Sequence, residues 1–236
     1  MDNRAFHRNE LLLGKRGVEA LAETRVILFG VGGVGSWCAE ALIRSGVGHL
    51  AMVDNDVVCE TNINRQLQAT FPNLGRPKVE ALRERLLQIN PDAQIDAVAK
   101  LYNLESSTGF DLGSYDYVID AIDSLSHKVG LIAQAMESGT TLFSAMGAAC
   151  KLDPSRIRTA SIWKTQGCKL ARVVRKRLRR RGVEGDCLCV YSEEPTEPRE
   201  GDAHGSMVHM TGIFGFQLAG LVVRDVYRRT GYSSRM

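Results

Sequence analysis

The sequence predicts an α/β protein built on a doubly wound, mainly parallel sheet. Short apolar runs alternate with amphipathic segments of helical period, a glycine-rich turn follows the first apolar run, and acidic residues follow later ones. Alternating strands and helices are typical of a parallel sheet with helices on both faces. The chain has 236 residues, of which 44% are hydrophobic and 24% charged, so it is long enough to bury the core of such a domain.

The individual elements follow from the spacing of apolar residues. Six strands are predicted, at residues 25–29, 50–53, 93–99, 115–121, 140–145 and 157–162. Helices are predicted at residues 9–22 (as one or two short helices), 36–45, 78–89 and 128–138. Beyond residue 153 the pattern loosens, and we expect a C-terminal extension with a basic helix, an apolar helix and a loop at 192–205. We predict a single domain over residues 1–236, with a core at 1–153 and an extension at 154–236.

The first strand is joined to the next helix by a glycine-rich turn, formed by Gly30, Gly32, Gly33 and Gly35. Glycine lets the backbone turn sharply and lie against a phosphate without a Cβ in the way. The helix that follows points its unpaired N–H groups at the same spot. Asp54 ends the second strand about 20 residues later, where a ribose hydroxyl is bound in Rossmann-like folds. The core is therefore predicted to bind a nucleotide, the alternative being a purely structural turn.

Further polar residues near the predicted strand ends favour a triphosphate over a nicotinamide dinucleotide. They are Asp56, Asn62, Arg65, Gln66, Lys78, Asp120 and Asp123. Magnesium takes one or two carboxylates together with phosphate oxygens, and arginine and lysine neutralise the charge that develops as pyrophosphate leaves. We therefore predict ATP and Mg²⁺ as cofactors, with Asp123, Arg65 and Lys78 as catalytic residues. A nicotinamide-dependent dehydrogenase is the alternative.

The net charge of +3 conceals a basic segment. Residues 164–181 contain nine Lys or Arg and no acid, which leaves the rest of the chain at −6. Such patches usually contact phosphate-rich polymers, although a helix face exposed only to solvent is the alternative. The predicted nucleic-acid-binding residues are Lys169, Arg172, Arg175, Lys176, Arg177, Arg179 and Arg180.

The cysteines and the hydropathy pattern bear on the compartment. The six cysteines are scattered without a CxxC pair, which argues against a four-cysteine zinc site. The N-terminal residues lack the apolar segment of a secretory signal, so we expect reduced thiols and a cytoplasmic protein. The longest apolar run, residues 207–223, is short for a membrane span and contains polar residues, so a buried helix is expected instead.

Six motifs in combination resemble a known family: FHRNELLLG, GVGGVGS, VDND, NINRQ, GRPK and DAID. The family is that of the ubiquitin-activating-enzyme-like adenylyltransferases, which include those of thiamine and molybdopterin synthesis. The resemblance covers residues 6–165 and implies that Asp54 holds the ribose and Asp123 the magnesium ion. It also implies that the phosphates are held by Asn62, Arg65 and Lys78.

The resemblance also implies a homodimer. Arg8 matches an arginine that, in dimers of this family, reaches into the active site of the partner subunit, and it is counted here among the catalytic residues. Ala5 departs from the pattern, because relatives often carry a basic residue at this position before the aromatic one.

Two later segments, DAIDSLSHK and GDCLCVYSEE, are similar to one subgroup of the family. Members of that subgroup use ATP to cyclise threonylcarbamoyladenosine in tRNA through an acyl adenylate. The resemblance implies tRNA as a partner and Cys187 as a possible reactive thiol that a sulfur-transfer protein would meet, with a structural or substrate-lining role as the alternative. The competing functions are an adenylyltransferase for a ubiquitin-like sulfur carrier and a non-catalytic module that binds nucleotide or RNA.

Overall fold

The computed structural model describes residues 4–196 and 205–231 and contains one seven-stranded sheet in these parts of the chain. The strands are β1 Arg25–Phe29, β2 His49–Val53, β3 Gln94–Val98, β4 Tyr117–Asp120, β5 Thr141–Ala145, β6 Ile157–Ser161 and β7 Leu188–Ser192. The helices are α1 His7–Glu23, α2 Gly35–Arg44, α3 Lys78–Leu87, α4 Leu125–Ser138, α5 Lys169–Arg180 and α6 Val208–Arg229. Most of the loop predicted at 192–205 lies outside the described residues.

The strand order is β3-β2-β1-β4-β5-β7-β6. Every pair is parallel except β6 and β7, which run antiparallel at one edge. The prediction of a doubly wound, mainly parallel sheet is confirmed. Strand β7 was missed by the sequence analysis, and it inserts between β5 and β6. The C-terminal segment thus extends the same sheet instead of forming a separate layer.

Helices cover both faces of the sheet because side chains alternate along each strand. In β1, Val26 and Leu28 face the core beneath α1, α2, α3 and α6. Ile27 and Phe29 face the opposite core, beneath α4 and α5. Helix α1 is interrupted at Gly14, whose φ of 70° is not helical, so the predicted segment is two short helices. Within the described residues, no helix is both long and apolar enough to cross a membrane.

Candidate active site

A cleft of about 940 Å³ runs along the carboxyl ends of β2, β1, β4 and β5. The chain leaves β1 for β2 on one side and returns to β4 on the other, so the strand order reverses at this point. Ligands of open α/β sheets bind where the order reverses, because the loops diverge there and leave a crevice. The topology itself therefore puts the candidate site in this cleft.

The glycine loop forms the floor of the cleft. Gly30 has a φ of +86°, and a Cβ on it would lie 2.7 Å from the Ala121 carbonyl oxygen, so only glycine fits where the loops after β1 and β4 meet. A Cβ on Gly32 would have a single neighbour within 4 Å and would fill space in the cleft. Gly33 also lines the cleft. Gly35 does not: it lies in the first turn of α2 and allows close contact with the Gly30 carbonyl.

Asp54 is held rigidly at the end of β2. One carboxylate oxygen accepts the Val31 N–H at 2.8 Å, and the other accepts the Asp56 N–H at 2.9 Å. Burial raises the pKa of Asp54 above its ordinary value, against the opposing effect of these two hydrogen bonds and of Lys78. Each oxygen keeps a further lone pair, so the carboxylate is able to accept from a ribose hydroxyl.

Lys78 and Asp56 form an ion pair in the cleft wall. Lys78 is the first residue of α3, and its Nζ lies 2.7 Å from a carboxylate oxygen of Asp56. The lysine side chain is 7% exposed and the aspartate side chain 59% exposed. The backbone N–H of Lys78 also donates to the Asp56 carbonyl at 3.0 Å. The ammonium is thus fixed at the cleft with a partner that water readily solvates.

The segment between β2 and α3 brings Arg65 and Gln66 to the cleft. One guanidinium nitrogen of Arg65 donates to the Thr61 carbonyl and to Asn64 Oδ1, and these hydrogen bonds orient the guanidinium group. Gln66 is 6% exposed, and its Oε1 is a buried acceptor that has no hydrogen-bond partner among the described residues. Asn62, predicted to bind phosphate, lies outside the cleft lining, and its Oδ1 accepts the Cys59 N–H at 3.1 Å.

The two aspartates of the DAID motif differ in position. Asp123 is exposed and lines the cleft. Asp120, predicted to contact the cofactor, is corrected because it is fully buried beneath the cleft floor. Its carboxylate accepts from Lys128 Nζ at 2.6 Å, from Ser144 Oγ at 2.5 Å and from the Ile122 N–H at 3.0 Å. Asp120 therefore fixes the loop that presents Asp123.

The residues present fit ATP and magnesium. Gly32 leaves room for a phosphate, and the cations Arg65 and Lys78 flank the cleft floor. The buried Gln66 Oε1 has no donor within residues 4–196 and 205–231. Asp123 supplies a hard oxygen ligand of the kind that Mg²⁺ prefers. No group of three or more His, Cys, Asp or Glu side chains converges in the described residues, so phosphate oxygens and water would complete the coordination of the metal.

Helix α5 begins at the cleft and carries the basic segment away from it. Cys168 caps the helix by accepting the Ala171 N–H, and residues 168–170 line the cleft. Six of the predicted nucleic-acid-binding side chains are exposed: Lys169, Arg172, Lys176, Arg177, Arg179 and Arg180. Arg175 differs from these six, because its half-buried guanidinium donates to the carbonyl and hydroxyl of Thr165 and holds the preceding loop in place.

Cys187 and Arg8 lie away from the cleft. Cys187 is 5% exposed just before β7, and its sulfur is 3.7 Å from that of Cys189. The Cys187 thiol and burial together raise the pKa of Cys189. This arrangement favours a structural role for Cys187. Arg8 lies at the start of α1, and the neighbouring Asn9 contacts the C-terminal end of α2. Because α2 begins at the cleft, its C-terminal end and Arg8 lie at the opposite edge of the sheet.

Apart from Lys169, which was predicted to bind nucleic acid, the sequence analysis missed the far half of the cleft. This half is lined by His127, by residues 145–151 and by residues 168–170. Ala145 ends β5, so the rule that pointed to residues after the second and fourth strands also applied here. The sequence thus indicated where this half of the cleft lies, although not which of its side chains are buried.

The fold and the cleft define an α/β protein with a candidate nucleotide site at the carboxyl edge of its sheet. A family model described as the ThiF family matches residues 6–233, and the chain belongs to this family. The predicted resemblance to the adenylyltransferases is therefore confirmed.

Within the family, the chain is similar in sequence and in structure to tRNA threonylcarbamoyladenosine dehydratases. The tRNA threonylcarbamoyladenosine dehydratase of Bacillus subtilis is 43% identical over 189 residues, which cover 80% of this chain and 74% of that protein. The tRNA threonylcarbamoyladenosine dehydratase 2 of Saccharomyces cerevisiae is 35% identical over 198 residues, which cover 83% of this chain but only 44% of the yeast protein. The crystal structure of the Escherichia coli tRNA N6-threonylcarbamoyladenosine dehydratase in complex with ATP has a TM-score of 0.91 at 32% identity, covering 98% of this chain and 97% of that chain.

Proposed function

We propose that this protein is an ATP-dependent tRNA threonylcarbamoyladenosine dehydratase. The observation that carries the proposal is a single cleft with the glycine loop, Asp54 and Asp123 at one end and the start of the basic helix α5 at the other. A nucleotide site that opens onto a basic helix suits an enzyme that activates a group on a nucleic acid. The similarity to the dehydratases supports the same conclusion.

The chemistry explains why ATP is needed. Hydroxide is a poor leaving group, so the threonyl carboxylate first attacks the α-phosphorus, and the bond from that phosphorus to the bridging oxygen of pyrophosphate breaks. A nitrogen or oxygen of the same urea group then attacks the activated carbonyl and expels AMP, and a urea N–H gives up its proton. The second nucleophile is tethered, so its high effective concentration makes a covalent enzyme intermediate unnecessary. The net change is loss of one water from the modified base.

The cleft suggests a role for each residue. Asp54 would hold the ribose, and Arg65 and Lys78 would bind phosphates and neutralise the charge on departing pyrophosphate. Asp123 would bind Mg²⁺. Mass spectrometry of tRNA nucleosides after incubation with ATP tests the proposal, and the expected result is a mass loss of one water on the threonylcarbamoyl base. If wild-type protein leaves that base unchanged in every magnesium-containing buffer tried, the proposal fails.

Binding of tRNA is assigned to the exposed side chains of α5. We expect replacement of Lys176, Arg177 and Arg180 by glutamate to weaken tRNA binding and to flatten its salt dependence, with ATP binding unchanged. Arg175→Gln is the matched comparison, since that side chain faces Thr165, and it should leave the salt dependence as in wild type. Equal tRNA affinity of the triple variant and the wild type across a salt series would contradict this assignment.

We further propose a homodimer in the cytoplasm, where tRNA and reducing conditions coexist. The exposed Leu11 and Leu12, at 67% and 75%, neighbour Arg8 on α1 and suit a subunit interface. In this arrangement Arg8 would serve the cleft of the partner subunit. Light scattering should give the mass of two chains, and Arg8→Ala should lower activity while the dimer persists. Residues 1–153 would form the nucleotide core, with 154–236 on the substrate and dimer side.

Two other expectations are tested by the same assays. If the protein instead serves a ubiquitin-like sulfur carrier, ATP–pyrophosphate exchange will depend on that carrier and not on tRNA. A sulfur-transfer partner acting on Cys187 would have to reach a thiol that is 5% exposed and packed against Cys189.

A further inference from the structure

The cleft extends beyond the part that the nucleotide residues line. Asp54 follows β2 and Asp123 follows β4, whereas residues 145–151 follow β5, one strand farther along the sheet. A nucleotide whose ribose meets Asp54 and whose magnesium meets Asp123 leaves this far end open. The far end therefore has room for the group that the proposed reaction adenylates.

Lys151 is a buried cation in the wall of this far end. The residue is 4% exposed and lines the cleft, and its Nζ donates to the Glu194 carbonyl at 2.5 Å. Within residues 4–196 and 205–231, Lys151 forms no ion pair. The Glu194 carboxylate is turned away, because it accepts the backbone N–H groups of Leu152 and Asp153.

This arrangement is costly without an anionic ligand. Burial lowers the pKa of the Lys151 ammonium, and the nearby Cys168 and Glu194 oppose that shift only in part. A buried ammonium that meets one neutral carbonyl gains far less than one that meets a carboxylate. The structure thus keeps a cation in the cleft that a carboxylate would satisfy.

The backbone around Lys151 is held in an uncommon conformation. Cys150, the residue before it, has a φ of +59°, which non-glycine residues rarely adopt. Its N–H donates to the Gly205 carbonyl at 2.9 Å, and at the other end of the wall the Met146 N–H donates to the Val190 carbonyl at 2.8 Å. Strained backbone that is tied at both ends commonly serves a binding site.

We propose that Lys151 binds the carboxylate of the threonylcarbamoyl group and presents it to the α-phosphorus of ATP. The inference rests on the proposed function. The carboxylate is the anionic group that separates the modified adenosine from an unmodified one, whose base is neutral. A cation at this position therefore determines specificity as well as orientation. The start of α5, with the side chain of Lys169, adds positive potential to the same end of the cleft.

The test compares two tRNAs that differ only in the threonylcarbamoyl group. Affinity for each is measured with a non-hydrolysable ATP analogue present, for wild type, Lys151→Gln and Lys151→Arg. Glutamine keeps a donor for the Glu194 carbonyl but removes the charge, whereas arginine keeps the charge. Lys15→Gln is the control, since Lys15 lies on α1 with its side chain 81% exposed. ATP affinity and melting temperature are measured for each variant.

We expect wild type to prefer the modified tRNA, and Lys151→Gln to reduce that preference by about tenfold or more, as for a lost charge-assisted hydrogen bond. Lys151→Arg should retain part of the preference, and ATP affinity and melting temperature should not change. An unchanged preference in Lys151→Gln overturns the inference. A joint fall in ATP affinity and melting temperature does so too, because it indicates a structural role.

A substrate analogue covers the case in which the glutamine variant does not fold. Wild type should lose its preference when the threonyl carboxylate is converted to a methyl ester, and equal binding of acid and ester overturns the inference. The nucleoside assay keeps the two proposals apart. If wild type dehydrates the modified base while Lys151→Gln keeps the wild-type preference for modified tRNA, the proposed function stands and the inference about Lys151 fails. If wild type does not dehydrate the base, both fail.

Discussion

Two lysine–aspartate pairs lie close to the cleft, and their surroundings differ. Lys128 and Asp120 lie 2.6 Å apart with both side chains fully buried beneath the floor. Lys78 and Asp56 lie 2.7 Å apart in the wall, and the aspartate side chain is 59% exposed. The contact is the same in both pairs. Because it is buried, the Lys128–Asp120 pair holds the loops together. In the other pair Asp56 is exposed, so a phosphate is able to replace it as the partner of Lys78.

The buried pair should show the largest effect on stability. We expect Lys128→Met to lower the free energy of unfolding by about 3–5 kcal/mol, because it leaves the Asp120 charge buried and unpaired. Urea denaturation measures the change. The double variant Asp120→Asn/Lys128→Met is the control and should recover part of the loss, since neither charge then remains. An unchanged denaturation midpoint in Lys128→Met would remove the distinction between the two pairs.

The exposed pair should affect activity instead. We expect Lys78→Met to slow ATP–pyrophosphate exchange by about 10²–10³-fold, because it removes a cation that stabilises the negative charge of the transition state. Its free energy of unfolding should change by about 1 kcal/mol or less, since water solvates the exposed Asp56. Lys15→Met serves as the exposed control for both measurements. A variant that is fully active but strongly destabilised would reverse the role given to this pair.

Glu40 offers an intermediate case. It lies on α2 with its side chain 8% exposed and meets the half-exposed Arg85 at 2.6 Å and Arg44 at 2.9 Å. Burial alone would raise its pKa, but the two arginines outweigh burial and hold the pKa of Glu40 below its usual 4.5. We expect Glu40→Gln to lower the free energy of unfolding by about 1–2 kcal/mol at pH 7.

The pH dependence of this difference follows from the lowered pKa. The stabilisation by Glu40 is fully present above the usual pKa of a glutamate and is lost as the pH falls through the lower pKa of the folded state. The difference between wild type and Glu40→Gln should therefore be constant from pH 8 to about pH 5 and shrink below it. A difference that grows on acidification contradicts the ion pairs described for Glu40.

The nucleotide half of the cleft was predictable because its residues follow strands directly. Gly30 comes after β1, Asp54 ends β2, and Asp123 comes after β4, so the parallel sheet brings them to one edge. The sequence could not show which way a side chain turns at that edge. Asp120 and Asp123 share one motif, yet Asp120 is buried against Lys128 of α4. This pairing is a tertiary contact, which the motif alone does not reveal.

The far half was harder to predict because it depends on distant partners. Lys151 becomes a buried cation only where Glu194 supplies its carbonyl, and these residues are far apart in sequence. The partial burial of Arg175 was not predictable for a related reason. It follows Ala171 by one helical turn and precedes Leu178 by another, so it borders the buried stripe of α5 and contacts Thr165.

Strand β7 has a consequence for how the protein is made. It pairs with β5 on one side and β6 on the other, although β6 precedes it in the chain. On the ribosome, β6 therefore emerges before the strand that it needs. Residues from β1 to Asp123 are synthesised well before β7, so a nascent chain is able to assemble its nucleotide half first. The far wall must wait, since Met146 and Lys151 are anchored to Val190 and Glu194.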